Sequence, residues 1–339
     1  MQKKLFIGID FSKSTFDVSV LEHIGTNDVL HRAFENDVTG YKSLLKWLSK
    51  QSKIKRCHWL FCGERTGLYS RGLSHFLVKK GLTMWLESPL QIKCSQGISR
   101  GKSDRMDSLR IAQYSIRHID RLTLYKPADK EVEALRLLFC YRSRLVKVKV
   151  ALEVAANEIR GVISRDQTSR LIFEDSKRES QRIKKRIKAL EEKMHKIIMN
   201  SELKRNYLLI ISIKGVGMMT TVAMIVQTNN FESFESARQL ASYCGCAPFP
   251  NESGTINKGN RISHLANKEL KVLLTQCARS AARFDTELQN YYLRKKTEGK
   301  KERVVINNIR NKLIQRIFAI MKSGIPYTEN YINPFEDAA

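Results

Sequence analysis

Leu5-Phe6-Ile7-Gly8-Ile9-Asp10 and, four residues on, Thr15-Phe16-Asp17-Val18-Ser19-Val20 decide the fold class of this 339-residue chain. The first stretch is an apolar run closed by an acid. In the second, Phe16, Val18 and Val20 alternate with Asp17 and Ser19, the period of a half-buried strand. A third strand is expected at Val29 to Phe34, after which Asn36 and Asp37 offer caps for a helix through Leu44, Leu45, Trp47 and Leu48. Cys57 to Cys62 is a further apolar run, broken at Gly63. A helix is expected from Leu68 to Lys80, and Leu82, Met84 and Leu86 alternate again before Pro89. Three early strands followed by strand–helix alternation read as an α/β domain with a mixed sheet, spanning residues 1–126.

Beyond that point the character changes. Pro127 and Pro248 enclose a proline-free stretch, and Ile183, Ile187, Leu190, Met194 and Ile197 are spaced as a coiled-coil seam. Residues 127–205 therefore read as two long antiparallel helical arms with a break near Gly161 to Thr168. Residues 206–339 read as mainly helical, with a polar, glycine-bearing loop from Cys244 to Gly259.

The charge restricts the partners. Lys and Arg number 60 against 34 Asp and Glu, a formal net charge of +26. Such a surplus calls for a polyanion outside the protein. Lys184, Lys185, Arg186 and Lys188 crowd the second arm, as phosphate contacts or as a solvated face. A membrane is the weaker candidate. The longest apolar runs, Leu208 to Ile211 and Val222 to Val226, fall far short of the roughly 20 residues of a spanning helix. The N-terminus does not read as a signal peptide. The odd count of 7 cysteines, without C-x-x-C spacing, reads as buried free thiols in a reducing cytoplasm and not as a zinc site.

Four acids stand where chemistry is expected. Asp10 ends the first strand, Glu64 follows the fourth, and Asp104 and Asp107 share one helical face at i and i+3. Taken singly, such acids are more often caps or turn residues. Together they have the oxygen-donor chemistry of a site for Mg²⁺ acting on a phosphodiester.

Asp10 after Leu5 to Ile9, Glu64-x-Thr66-Gly67-x-Tyr69, Pro89 and Lys102-x-Asp104-x-x-Asp107 together resemble the DEDD insertion-sequence transposases. These include the pilin-gene inverting recombinases and the bridge-RNA-guided elements. The resemblance implies an RNase H-type, RuvC-like first domain whose four acids bind a divalent metal, Mg²⁺ or Mn²⁺.

Two later stretches bear on the same function. In Lys214-Gly215-Val216-Gly217, the glycines suit either a helix-hairpin-helix hold on a phosphate or merely a tight turn. Ser253-Gly254, with Lys258 and Arg261 behind it, lies in a proline-bounded loop. Without context Ser253 is a turn residue. Tyr243-x-Gly245-x-x-Pro248, Ser253-Gly254 and Gly259-x-x-Ile262-Ser263 resemble the C-terminal transposase domain of the same family, and that likeness implies that Ser253 is the nucleophile.

The chain thus reads as an insertion-element recombinase, cytoplasmic and nucleoid-associated, that joins a serine to DNA through phosphorus. The resemblance further implies donor and target double-stranded DNA, a guide RNA, and a homo-oligomer, dimer or tetramer. The coiled-coil seam fits the oligomer but would equally close within one hairpin. The rivals are a metal-dependent junction nuclease with a structural Ser253, and a non-catalytic nucleic-acid-binding protein.

Overall fold

The computed structural model describes residues 3–25, 29–97, 103–162, 166–253 and 256–329, with the backbone alone at 160–162, 251–253, 256–258, 260 and 261. Contacts divide the chain into two compact units, Met1–Pro127 and Ala128–Ala339.

In the first unit, strands β1 (Leu5–Phe11), β2 (Thr15–Leu21), β3 (Leu30–Glu35), β4 (Trp59–Glu64) and β5 (Thr83–Glu87) form one sheet in the order β3-β2-β1-β4-β5. The three early strands pair antiparallel, whereas β4 and β5 run parallel to β1. This is the mixed, RNase H-like sheet. Helix α1 (Val38–Gln51), capped by Asp37 through Gly40 N at 2.7 Å, and helix α2 (Leu68–Lys79) supply the crossovers. Helices α3 (Pro89–Ser95) and α4 (Asp104–Arg117) follow β5.

Alternation along the central strands sorts their side chains between two layers. Leu5, Ile7, Ile9, Trp59, Phe61, Met84 and Leu86 pack with Leu44 and Leu48 of α1 and Leu73 and Leu77 of α2. Phe6, Leu60, Cys62 and Trp85 pack with Ile92 of α3 and Ile111 and Tyr114 of α4. A sheet covered on both faces explains why β1 and β4 are continuous apolar runs.

Helix α4 lies close against β1. A Cβ at Gly8 would stand 2.1 Å from the Ser108 carbonyl oxygen and 2.3 Å from the Ala112 nitrogen, both backbone atoms of α4. Beside this contact the buried hydroxyls of Ser19 and Ser108 lie 2.8 Å apart and hydrogen-bond. These contacts fix the start of α4 over the β1–β2 pair, and the acids of its first turn with it.

The second unit opens with α5 (Lys130–Val162) and α6 (Gln167–Met199), the expected pair of long arms. Arg142 bonds Glu191 at 2.7 Å, and Ser180 donates to Glu153 at 2.6 Å, so the pair is antiparallel. Its seam closes internally: Ile183 and Ile187 pack on Leu145, while Met194 and Ile198 join Val132, Leu135 and Phe139. The seam's apolar surface is used within one chain, and it therefore supplies no support for an oligomer.

Helices α7 (Leu203–Ile211), α8 (Met218–Gln227) and α9 (Ala237–Tyr243) follow. Next come strands β6 (Pro248–Ser253) and β7 (Ile256–Ile262), and helices α10 (Lys268–Phe284), α11 (Thr286–Thr297) and α12 (Glu302–Ser323). Residues Val222–Val226 of α8 are buried at the centre of this unit, against Leu274 of α10 and Leu313 of α12.

Two expectations need correction. The loop from Cys244 to Gly259 is largely an antiparallel hairpin, β6–β7, with an irregularity between Pro250 and Glu252. Pro248 and Pro250 lack the amide donor of a central strand and mask its pattern, but an isolated hairpin tolerates them at its free edge. The cysteines are all free, yet only Cys62, Cys244, Cys246 and Cys277 are buried; Cys57, Cys94 and Cys140 are exposed.

Gly8→Ala must push α4 away from β1, and we expect urea denaturation to show a loss of about 1–3 kcal/mol. Gly217 has φ of −96° and nothing within 4 Å of an added Cβ, so Gly217→Ala should stay within about 0.5 kcal/mol of the native protein.

Candidate active site

Asp10 is the next-to-last residue of β1, and Glu64 ends the neighbouring parallel strand β4, where Ile9 pairs with Gly63. Asp104 and Asp107 occupy the first turn of α4, behind Ser103, whose Oγ accepts from Met106 N at 3.3 Å. Ser103 is thus the cap, and the two acids sit where the helix dipole favours negative charge. Lys102 lies outside the described residues.

The acids share one electrostatic neighbourhood. The Asp10 carboxyl is pushed up from an ordinary value of 3.8 to about 6, first by burial, then by the charges of Asp107, Glu64 and Asp104, and last by Asp17. Burial and like charges both disfavour the ionised form. Asp17 faces Asp10 across the β1–β2 pair and is itself held by His31 Nε2 at 2.9 Å. Arg110 Nη1 lies 3.0 Å from Asp107 Oδ1.

Among the described residues no three His, Cys, Asp or Glu side chains stand close enough to hold one ion as they lie. The donor set nevertheless fits a hard divalent cation. It is all carboxylate oxygen, and its mutual repulsion is what such a cation relieves.

Asp17, His31 and Arg110 escaped the sequence reading. Asp17 was legible only as the polar half of an alternating strand, although the pairing of β1 with β2 sets it opposite Asp10. Arg110 stands three residues after Asp107, a spacing that itself predicts an ion pair.

The second unit carries the other predicted residues. Ser253 ends β6, and its backbone pairs with Ile256 of β7. The side chains of Ser253, Lys258 and Arg261 lie outside the described residues. In the turn before α8, Gly215 has φ of +89°, and a Cβ there would meet Ala281 N of α10 at 2.7 Å. Packing alone therefore requires this glycine. Gly217 caps α8, its carbonyl accepting from Thr221 N at 3.1 Å, and Lys214 pairs with Glu329 at 2.6 Å. Lys184, Lys185, Arg186 and Lys188 are all exposed on α6.

Comparison with known proteins bears on both units. A DEDD family model described as "Transposase" matches residues 7–165, and one described as "Transposase IS116/IS110/IS902 family" matches residues 207–293. The chain is 27% identical to the pilin gene-inverting protein of Moraxella bovis over 96% of this chain and 98% of that one, and to the Moraxella lacunata protein to the same extent. It is 25% identical to the transposase for insertion sequence element IS1111A of Coxiella burnetii, over 60% of each chain. The chain belongs to the IS110 family of transposases.

As an IS110-family transposase it is a DNA transesterification enzyme, and its DEDD domain carries divalent-metal use with it. DNA is the polyanion that its positive surplus anticipates. Among the described residues no helix is long and apolar enough to cross a membrane.

The raised Asp10 carboxyl has a measurable sign. A carboxyl whose folded value exceeds its unfolded value favours the folded state below about pH 4, and that benefit is lost as pH rises through about 6. Calorimetry of the metal-free protein should therefore show Asp10→Asn melting above the native protein at pH 8, with a smaller fall between pH 5 and pH 8.

Proposed function

We propose that this transposase cuts and rejoins DNA with two parts, an acid cluster holding a divalent cation and the hydroxyl of Ser253. Asp10, Glu64, Asp104 and Asp107 hold the cation. When bound, it supplies Lewis-acid stabilisation of the charge that develops on the phosphoryl oxygens. The observation that carries this reading is the Asp10 environment, in which acids from β4 and α4 act on one carboxyl of β1.

Ser253 Oγ attacks the phosphorus, its proton passing to a base or to solvent. The O–P bond to the serine forms as the bond to the 3′ oxygen breaks, and that oxygen leaves as a 3′-OH once protonated. The link keeps the bond energy, so attack by another 3′-OH releases the serine and reseals a strand without an external energy source. A nuclease using activated water has no need of such a residue. Ser253 stands in a family region separate from the acids, which suits a site assembled from two protomers of a dimer or tetramer. Lys258 and Arg261, on the strand after it, are the cations nearest in sequence to steady the phosphate.

The duplex specificity is assigned to a guide RNA pairing with donor and target. The size of the charge surplus supports this, as do the exposed Lys184, Lys185, Arg186 and Lys188 on α6, a surface able to follow a polyanion backbone. Lys214, with the Gly215 and Gly217 turn, is proposed to add a backbone contact once released from Glu329. The pilin gene-inverting relatives, by their name, invert a gene, and inverting a stretch of DNA is a cut-and-rejoin reaction.

Ser253→Ala should abolish a protein–DNA adduct that survives denaturing electrophoresis, while folding and nucleic-acid binding persist. Asp104→Asn and Asp107→Asn should abolish cleavage as well. An alanine variant that still recombines DNA would assign the chemistry to the metal alone and make Ser253 structural.

Charge reversal of Lys184, Lys185, Arg186 and Lys188 to Glu should weaken nucleic-acid binding and flatten its salt dependence, with little change in melting temperature. Each lost phosphate contact removes roughly 0.9 from the logarithmic salt slope on duplex DNA. An unchanged slope would make this face merely solvated.

A further inference from the structure

Helix α12 treats two of its arginines differently. Arg316 is neutralised by carboxylates, Asp285 Oδ2 at 2.7 Å and Glu287 Oε2 at 2.5 Å. Arg310 is only 7% exposed, yet its described partners are neutral: Nη1 donates to Thr275 Oγ1 at 3.2 Å and Nη2 to Asn307 Oδ1 at 2.7 Å. Its Nε is buried and has no partner among the described residues. A buried guanidinium without a counter-charge is costly, because desolvation is not repaid by a partner.

This arginine lines a cavity of about 350 Å³ between α10 and α12, with Thr275, Arg279, Glu302, Arg303 and Ile306. Three guanidinium groups thus face one carboxylate. Among the described residues none of the three has a carboxylate within ion-pair distance, whereas Arg294 and Arg316 on the neighbouring surface do. The polar partners are themselves already committed. Thr275 donates its own proton to the Lys271 carbonyl at 2.6 Å, and Asn307 and Asn311 both donate to the Cys246 carbonyl at 2.9 Å. Arg310 is therefore held rigidly, through an Asn307 anchored on Cys246, two residues before β6 and its terminal Ser253, while Arg279 and Arg303 are exposed and free to close over an anion.

We propose that this cavity is an anion pocket that takes one phosphodiester of a nucleic-acid backbone, with Arg310 as its fixed floor and Arg279 and Arg303 as its clamp. Guanidinium forks match phosphate oxygens in pairs, which a point-like ammonium does not, and all three cations here are arginine. The cavity is ample for one phosphate group. The proposal rests on the nucleic-acid chemistry of the family and is independent of Ser253, because the pocket binds and does not react.

The test uses the full chain and two probes, a 30-base-pair DNA duplex and a 30-nucleotide RNA, with binding followed by fluorescence anisotropy across a salt series. Arg310→Met removes a buried group and can fail to fold, so the Arg279→Gln/Arg303→Gln double variant carries the experiment, with its melting temperature checked against the native chain. The control, Lys46→Gln/Lys50→Gln on α1, loses the same charge from exposed positions remote in sequence. We expect the double variant to lose roughly tenfold in affinity and about 1 in salt slope relative to the control. A loss confined to the duplex assigns the pocket to DNA, one confined to the RNA assigns it to RNA, and a loss in both assigns a shared phosphate contact. Affinity and slope equal to the control for both probes would overturn the pocket. Because Ser253→Ala should bind both probes normally, failure of the pocket and failure of the serine mechanism remain separate results.

Discussion

The contact between Gly8 of β1 and the backbone of α4 is the constraint on which the acid site depends. An α-helix normally stands off a sheet by the thickness of its side chains; here the missing Cβ lets helix backbone meet strand backbone. The Ser19–Ser108 hydrogen bond satisfies two hydroxyls that this closeness buries. Asp107 precedes Ser108 in the chain, and Asp10 lies two residues beyond Gly8 on the same sheet face. The approach that seats the helix therefore also sets two acids within reach of each other's charge. The raised Asp10 carboxyl is the electrostatic consequence. A fold that spends stability to gather like charges has use for a cation.

The chain is strongly basic, and its few acids are placed with unequal care. In the first unit Asp10, Glu64, Asp104 and Asp107 stand at the ends of β1 and β4 and the start of α4, with Arg110 beside Asp107 and His31 beside Asp17. In the second unit Asp285 and Glu287 neutralise the largely buried Arg316. Asp285, wholly buried, accepts from Leu288 N, Arg316 and Tyr327, and so ties α11, α12 and the following segment together. Arg310, left without such a partner, stands out against that habit.

Much of this was legible in the sequence, and the reasons are physical. Strands β1 to β5 announced themselves because a sheet covered on both faces needs apolar runs at its centre and alternation toward its edge. The start of α1 was marked by Asp37, whose side chain accepts a first-turn amide, whereas the cap of α4 is Ser103 and not the acid after it. The acids were visible as strand-end and i, i+3 residues, whereas the contact of Gly8 with Ala112 that carries α4 onto β1 was not, since tertiary packing alone makes it. The β6–β7 hairpin was hidden by its prolines, which weaken strand character locally. The destination of the Ile183 to Ile197 seam was also unreadable, because a heptad pattern is the same whether its partner is the preceding helix or another chain. Lone cations such as Arg310 cannot be recognised before their surroundings are known.

The central claim is that the acids of β1, β4 and α4 act as one divalent-cation site. Electron paramagnetic resonance of free Mn²⁺, titrated with protein in the presence of duplex DNA, counts the bound ions directly. The account predicts binding by the native chain that Mg²⁺ displaces, and its loss in both Asp10→Asn and Asp107→Asn but not in Glu179→Gln on α6 of the other unit. Mn²⁺ binding retained in full by both acid-site variants would contradict it.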